Sequence, residues 1–412
     1  MIKKFKLPFN FLIYLLNESV SKILPFLTLL IAAKYIEVDS FGLLTMYYVT
    51  LEILTLIINN NIRATTRIDY FQCSRDEYIK KKSAHHVGTV LICIFIFITL
   101  LPFDIVETKL LLILIIISFM RGIAFFVLSD LQCSEKVKEY GVYNIIPVFI
   151  SNLTFIIAIL NGFGIESWFY TTLLGCIIQC LFTSRYILKY KLIKLNSEIK
   201  TSNIWHEMKQ GLIFMPQALG FWIHGAIDRL LISNILGNII VGYYMFVFQL
   251  STPIIILSTV INLFLTSKIN HSLKIGDIDA IKINMKKFSI LLMVFSILNY
   301  FSIVILIDIF FYDKYSEAIN HAPFIVISML LQALYLIHMN VFYYIGKKKF
   351  ISLLVLVLSM VKSCVAYLFI NIYAIKGVFY TNIILNLIVL CIVLYYFNVN
   401  LSNWNENVKK NS

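Results

Sequence analysis

Seven ionisable side chains interrupt the long apolar stretches of this 412-residue chain: Lys22, Arg121, Arg229 and Lys362 are basic, and Glu18, Glu52 and Asp228 are acidic. A charge at the centre of a membrane-spanning helix costs about 2.5–3.5 kcal/mol on insertion scales, so such residues usually face a cavity or a partner. The small excess of positive charge favours an anionic cargo. Arginine in particular binds phosphate oxygens through two parallel hydrogen bonds.

Two pairs of these residues begin the two halves of the chain. Glu18 and Lys22 are four positions apart and share one helix face, with Asn17 beside them. Asp228 and Arg229 are adjacent, so their side chains point about 100° apart around a helix. We predict a substrate-binding and translocation site composed of Asn17, Glu18, Lys22, Arg121, Asp228, Arg229 and Lys362. Two alternatives stay open: a self-neutralised Glu18–Lys22 pair that only fixes helix packing, and a Lys362 that reaches the membrane surface.

Twelve apolar runs carry these residues, and 60% of the chain is hydrophobic. A helix needs about 20 apolar residues to cross a bilayer, and within lipid each span must satisfy its own backbone hydrogen bonds. The chain is therefore predicted to be an all-α polytopic membrane protein with about twelve transmembrane helices. The predicted spans are 9–34, 41–61, 87–101, 110–129, 142–160, 166–188, 211–233, 240–266, 288–309, 319–345, 350–370 and 377–397.

Basic residues alternate between the two sides of these spans. Of the 35 Lys and Arg residues, 27 lie in the two tails and the even-numbered links, and only Lys34, Lys109, Lys314 and Lys376 lie in the odd-numbered links. The positive-inside rule therefore places both termini in the cytoplasm. Because the charge is spread over many short loops and does not cluster on one face, no nucleic-acid partner is predicted.

The sequence lacks the usual signatures of an enzyme. It contains no phosphate-binding loop of the nucleotide-hydrolysing type, and His206-Glu207 is not followed by a histidine at the zinc spacing. The predicted external links are short, which leaves little room for an external catalytic domain. We predict no catalytic residue, no metal site and no cofactor, and we expect transport rather than catalysis.

The chain divides into two halves at its longest inside link. We predict a six-helix bundle over 1–188, a basic cytoplasmic linker over 189–210, and a second six-helix bundle with a short cytoplasmic tail over 211–412. The linker is predicted either to lie on the inner membrane surface as an amphipathic segment or to be solvated. Two echoes between the halves indicate parallel repeats: Asn161–Thr171 with Asn371–Thr381, and Phe41-Gly42 with Val241-Gly242.

Several segments together follow the pattern of a known family: Lys22–Ile36, Phe41–Leu44, Ala64–Arg67, Gly211–Pro216 followed by Ile227–Arg229, and Val241–Tyr244. They resemble the Wzx-type polysaccharide flippases of the multidrug/oligosaccharidyl-lipid/polysaccharide exporter superfamily. The resemblance covers the whole chain in length and span count, but the acidic and glycine element often found near the end of span two is replaced by Asn59–Ile62.

This resemblance implies a MATE-like fold and a multi-pass protein of the bacterial inner membrane. It implies a flippase that moves undecaprenyl-pyrophosphate-linked oligosaccharide repeat units outwards by alternating access, for O-antigen (lipopolysaccharide) or capsule synthesis. The implied partners are the lipid-linked oligosaccharide and membrane lipid. A polysaccharide polymerase, a chain-length regulator, and H⁺ or Na⁺ as coupling ion stay open.

Two other functions compete with this interpretation. One is an ion-coupled drug or metabolite exporter of the same superfamily, which the excess of Arg and Lys in the spans disfavours for a cationic cargo. The other is a membrane polysaccharide polymerase, which the short external links disfavour. Binding of a lipid-linked sugar, as opposed to an amphipathic cation, distinguishes the first from a flippase.

The charge asymmetry makes a topology prediction. Tags inserted at Lys109, Glu166, Lys314 or Lys376 are expected outside, and tags at Lys81, Lys194, Lys282 or Lys348 inside, in a protease-accessibility assay on intact cells. An external tag at Lys194 would contradict the twelve-span arrangement.

Overall fold

The computed structural model describes residues 9–103, 107–194, 201–275, 277–344 and 348–411. These residues form α-helices joined by short links, and no strand occurs among them. The helices are α1 (Phe9–Tyr35), α2 (Val38–Asn59), α3 (Ile62–Gln72), α4 (Arg75–Leu100), α5 (Thr108–Cys133), α6 (Val137–Leu160), α7 (Ser167–Tyr190), α8 (Thr201–Leu236), α9 (Asn238–Ile275), α10 (Ile278–Leu306), α11 (Tyr312–Tyr315), α12 (Ala322–Tyr344), α13 (Lys348–Tyr373) and α14 (Ile375–Asn411).

Each predicted span coincides with one long helix of the described chain, and α3 and α11 are the two short helices. The all-α prediction is therefore confirmed. By length and composition, nine stretches of the described residues are apolar enough to cross a membrane, and one of them, Ile278–Met339, contains both α10 and most of α12. Neither α1 nor α8, which carry Lys22 and Asp228 respectively, belongs to these stretches.

The link between predicted spans two and three, residues 62–86, is itself mostly helical. Its first part is α3, in which Ile62, Thr65, Thr66 and Asp69 are buried. This spacing places them on one face of an amphipathic helix. Helix α4 then begins at Arg75, well before the predicted start of span three, because Ser74 caps it by accepting a hydrogen bond from the Glu77 backbone N–H at 3.4 Å.

Contacts between residues divide the chain into two compact units. Unit 1 contains the described residues of Met1–Ile36 and Tyr47–Leu219, and unit 2 contains those of Glu37–Met46 and Gly220–Ser412. Helices α2 and α8 therefore each contribute one part to each unit. The predicted boundaries at 188 and 211 are not tested by this division and stay a prediction.

Unit 1 is organised around α6 and α7. Helix α6 packs against α1 and α7, and α5 packs against α7 and α3. A core at one end of these helices joins Tyr78 of α4, Phe126 of α5 and Tyr186 of α7 with Leu192, which follows α7 and is fully buried. Part of the predicted linker thus belongs to the packed interior of unit 1.

Unit 2 is organised around α12, which packs against α9, α10 and α14. An aromatic cluster adds the first turns of α2 to this unit. The rings of Phe246 and Tyr315 stack with centroids 3.9 Å apart, and Phe41 meets both rings edge-on at 6.3 Å. Aromatic pairs in these geometries contribute about 0.5–1.5 kcal/mol beyond their buried area.

The starts of α2 and α9 approach each other closely within unit 2. A Cβ atom on Gly42 would collide with the backbone carbonyl of Asn238, and a Cβ on Gly242 would collide with the backbone carbonyl of Val38. The contact is reciprocal, because each glycine faces the carbonyl four residues before the other. Only glycine permits such an approach between two helix backbones.

Substitution of Gly42 by alanine is expected to destabilise the protein. The added methyl group has no space beside the Asn238 carbonyl, and overpacking of this kind costs about 1–3 kcal/mol. The matched control is Gly164→Ala, because nothing lies within 4 Å of a Cβ at that position. We expect a lower Tm for purified Gly42→Ala in detergent, with Gly164→Ala close to wild type; equal Tm values would contradict the close contact.

Candidate functional site: a polar cavity in each unit

The Asp228 carboxylate is the polar centre of unit 2. Its Oδ2 atom accepts hydrogen bonds from the Lys362 ammonium at 3.0 Å, the Tyr244 hydroxyl at 3.0 Å and the Asn382 amide nitrogen at 2.8 Å. These residues come from α8, α13, α9 and α14. A single carboxylate oxygen therefore ties four helices together, and charged acceptors give the stronger hydrogen bonds.

Lys362 is an ion-pair partner rather than a residue that reaches the membrane surface. Its ammonium also donates to the backbone carbonyl of His224 at 2.7 Å, and only 4% of the residue is exposed. Since Asp228 and Lys362 neutralise each other, neither supplies net charge to a cargo. The pairing joins residues 134 positions apart in the sequence, which no local pattern could have predicted.

A cavity of about 60 Å³ lies beside this pair. Besides Asp228 and Lys362, polar groups of Ser328, Asn382 and Asn386 line it, together with aromatic rings. The second oxygen of Asp228, Oδ1, is buried and has no hydrogen-bond partner among the described residues. This residue of the cavity wall therefore retains one unused acceptor.

Arg229 lies next to this cavity and not on its lining. Its guanidinium carbon is 5.4 Å from the centroid of the Phe248 ring, and Phe248 itself lines the cavity. The Nε atom is buried without a hydrogen-bond partner in the described part of the chain. Arg229 also forms no ion pair with a described carboxylate.

Unit 1 has a larger cavity, of about 140 Å³, which contains Arg121. Arg121 is half-buried on α5, and no described carboxylate pairs with it. The remaining lining comes from α1, α2, α6 and α7 and combines rings with neutral polar side chains, including Tyr48, Trp168, Asn152 and Gln179. Each unit therefore has, in or beside its cavity, an arginine without an acidic partner in the described chain.

Asn17 and Lys22, of the other predicted site residues, line neither cavity. Asn17 is buried against α6, where a Cβ on Gly141 would contact its amide, and its Nδ2 has no described hydrogen-bond partner. Lys22 and Glu52 are exposed. The side chain of Glu18 lies outside the described residues, so its predicted pairing with Lys22 stays a prediction.

A second buried charge cluster in unit 1 was not anticipated from the sequence. The fully buried Lys82 ammonium binds Asp69 Oδ2 at 2.6 Å and the Thr65 hydroxyl at 3.2 Å, and it lies 3.7 Å from Glu207 Oε2. All four residues lie in stretches predicted as cytoplasmic links, where charges are normally solvated. The apolar and small residues at helical spacing around Asp69 are the signal that could have identified a buried face.

Sequence comparison places this architecture in a known family. Residues 9–268, more than half of the chain, match the family described as "Polysaccharide biosynthesis protein". The chain belongs to this family. A comparison with the sequences of curated proteins found no match to this chain.

Solved structures of transporters share the fold of this polysaccharide biosynthesis family member. A structure described as lipid II flippase MurJ in an inward closed conformation superposes with a TM-score of 0.73 at 16% identity, covering 95% of this chain and 89% of that one. An inward-facing multidrug resistance MATE family transporter of the MOP superfamily superposes with a TM-score of 0.67 at 13% identity, covering 94% and 96%. The predicted MATE-like fold is thus confirmed, and identities this low establish the fold alone.

The Asp228–Lys362 pair is expected to behave as one energetic unit. Asp228→Asn or Lys362→Met alone leaves a buried charge without its partner, which costs about 3–5 kcal/mol. The double variant removes both charges and should lose clearly less stability than the sum of the two single variants. The measurement is Tm of the purified protein in detergent, with the exposed Lys376→Met as control; additive losses would argue against the pair.

Proposed function

We propose that this protein is a flippase that moves an undecaprenyl-pyrophosphate-linked oligosaccharide from the cytoplasmic to the outer leaflet of the bacterial inner membrane. The proposal is supported by membership of the polysaccharide biosynthesis family and by the fold shared with a lipid II flippase. The lipid-linked repeat units of O-antigen or capsule are the substrates that the Wzx resemblance implies.

Transport of such a lipid requires a polar path beside an apolar one. Sugars and pyrophosphate cannot enter hydrocarbon without losing their hydrogen bonds to water, which costs several kcal/mol per group. The lipid tail needs no such path, because it stays in the bilayer while the head group crosses. The exposed apolar surfaces of the long helices suit lipid, and the polar cavities offer replacement hydrogen bonds to a head group. No covalent step is required.

The observation that carries the proposal is that Arg121 and Arg229 have no ion-pair partner among the described carboxylates. Lys362 is neutralised by Asp228, so the positive charge available to a cargo comes from Arg121 and Arg229. Guanidinium groups bind phosphate oxygens in a planar, two-point geometry. We infer that Arg229 meets the pyrophosphate during an alternating-access cycle, and that Arg121 meets another part of the head group.

The same charge bears on the competing function of a drug exporter. The superposition on MATE transporters is a likeness of fold, and a cationic drug would meet two arginines whose charge no described acid offsets. An anionic lipid head group gains from the same residues. Electrostatics therefore favours the flippase over an exporter of cations.

Arg229→Ala is expected to abolish flipping while leaving the protein in the membrane. Removing a charge from a membrane-spanning helix eases insertion but eliminates a contact to pyrophosphate. Arg229→Lys should recover only part of the activity, because lysine keeps the charge and loses the two-point geometry. The readout is surface polysaccharide in cells with matched protein levels, and the control is Arg185→Ala, an exposed arginine on α7.

Full activity of Arg229→Ala would remove this residue from the transport site. Disappearance of the variant from the membrane would instead identify Arg229 as a structural residue.

The function as a whole is tested by gene deletion followed by analysis of lipid-linked sugars. Deletion should cause lipid-linked repeat units to accumulate on the inner leaflet, and the purified full-length protein in liposomes should restore their movement to the opposite leaflet. Unchanged surface polysaccharide and no accumulation after deletion would reject the flippase.

A further inference from the structure

We propose that the Arg121 cavity of unit 1 is a saccharide-binding subsite, which recognises hydroxyl groups of one sugar of the cargo rather than its pyrophosphate. This inference rests on the proposed function and deepens it, because it assigns separate parts of the head group to separate sites. It is supported by the hydrogen bonds that the Gln179 and Asn152 amides make, and by the aromatic rings on one side of the same cavity.

Gln179 is held in one orientation by a proline on the neighbouring helix. Pro147 lies inside α6 and has no N–H, so the backbone carbonyl of Tyr143, four residues earlier, lacks its helical partner. The Gln179 amide nitrogen donates to that carbonyl at 3.2 Å. This bond fixes which end of the amide is engaged, and it leaves the amide oxygen to accept a hydrogen bond from a ligand.

Asn152, on α6 itself, also has its amide nitrogen engaged by a backbone carbonyl. Its amide nitrogen donates to the backbone carbonyl of Val148 at 2.7 Å. Its amide oxygen is likewise the group that a ligand can use. Both residues line the cavity, and each amide nitrogen uses one of its two N–H groups in the bond described, so each side chain offers its oxygen as an acceptor and keeps one N–H as a donor.

This donor and acceptor pattern selects for a hydroxyl-bearing ligand. The ionised pyrophosphate diester of a lipid-linked sugar has only acceptors, so it can use Arg121 and the remaining amide N–H groups but not the two amide oxygens. A sugar hydroxyl both donates and accepts, so it can donate to Asn152 or Gln179 and accept from the Arg121 guanidinium. The cavity therefore matches a neutral sugar, or a sugar whose carboxylate pairs with Arg121.

The aromatic side of the cavity matches the apolar face of a sugar ring. Tyr48 is half-buried, and Trp168, which is 3% exposed, supports it with ring centroids 4.6 Å apart. Tyr47 stacks on the same indole at 6.4 Å. A ring held by such packing loses little freedom when it binds, which favours contact with the C–H face of a pyranose.

The close packing of α6 and α7 preserves this geometry. A Cβ on Gly175 would lie 2.7 Å from Ser151 Cβ and 3.0 Å from the Pro147 carbonyl oxygen. The two helices that carry Asn152, Gln179 and Trp168 are therefore held at a short fixed distance. Preformed polar groups on rigid helices are the usual basis of specificity in a small-molecule site.

The subsite can be tested by the fluorescence of Trp168. The chain has four tryptophans, and Trp205, Trp222 and Trp404 are replaced by Phe in the full-length protein so that only Trp168 reports. The purified protein in nanodiscs is titrated with methyl glycosides of a neutral hexose, an N-acetylhexosamine and a hexuronic acid, and separately with inorganic pyrophosphate. At least one glycoside is expected to change the signal saturably, whereas pyrophosphate is not.

Variants then assign the recognition to the amide groups. Gln179→Leu in the single-tryptophan protein should weaken glycoside binding about tenfold, the effect of losing one hydrogen bond of about 1.4 kcal/mol. Asn152→Asp, which keeps the shape of the side chain, guards against a folding defect and should change the preference among the glycosides. Gln249→Leu, the same change on α9 and away from both cavities, should bind as the parent does.

Three outcomes would overturn the inference: a saturable response to pyrophosphate alone, no response to any glycoside, or unchanged glycoside binding by Gln179→Leu. The proposed function is read separately, by flipping of the native lipid-linked unit in liposomes. If the wild type fails to flip, the function is rejected while the titration still decides the subsite. If Gln179→Leu flips and binds as the wild type does, the subsite is rejected while the function stands.

Discussion

The buried carboxylate of Asp228 is the constraint on which unit 2 depends. Within hydrocarbon a charge is tolerated only when its hydrogen bonds are supplied by the protein, and here Lys362, Tyr244 and Asn382 supply them from three other helices. Those helices must converge on one point, so their convergence creates a small polar cavity among apolar spans. Because Lys362 pairs with Asp228, Arg229 is left without an ion-pair partner among the described acids. Because the buried pair must be neutral, Asp228 and Lys362 have a structural role. The charge of Arg229 remains available to a cargo.

Unit 1 meets the same physical requirement with mostly uncharged groups. Its cavity holds Arg121 among amides and rings, and its buried ion cluster at Lys82 lies elsewhere in the unit. A proline that removes one backbone hydrogen bond determines the orientation of Gln179. The two halves of the chain therefore share an arginine in a polar setting, yet they surround it with different chemistry. Such a difference suits a cargo whose head group has a charged part and a neutral part.

The fold was largely predictable because the bilayer constrains sequence so strongly. Each of the twelve long helices corresponds to an apolar run, since every span must be about 20 residues long and free of most charges. The site was less predictable. Asp228, Arg229, Lys362 and Arg121 stand out as charges in apolar runs, but which of them form an ion pair depends on packing between distant helices. Lys82 and Asp69 fall in a predicted cytoplasmic link, because counting charges by link ignores the helical periodicity that buries one face of α3 and α4.

The reciprocal glycines at the starts of α2 and α9 have a consequence for biosynthesis. Gly42 and Gly242 are about 200 residues apart, and synthesis at roughly 5–20 residues per second separates their appearance by about 10–40 s. During that interval the first turns of α2 have no α9 to pack against, although the rest of α2 can already join unit 1. The apolar surface around Phe41 therefore lacks its contacts with α9 until α9 has been synthesised. Lipids, or an insertion factor, would have to cover this segment until the second half of the chain arrives.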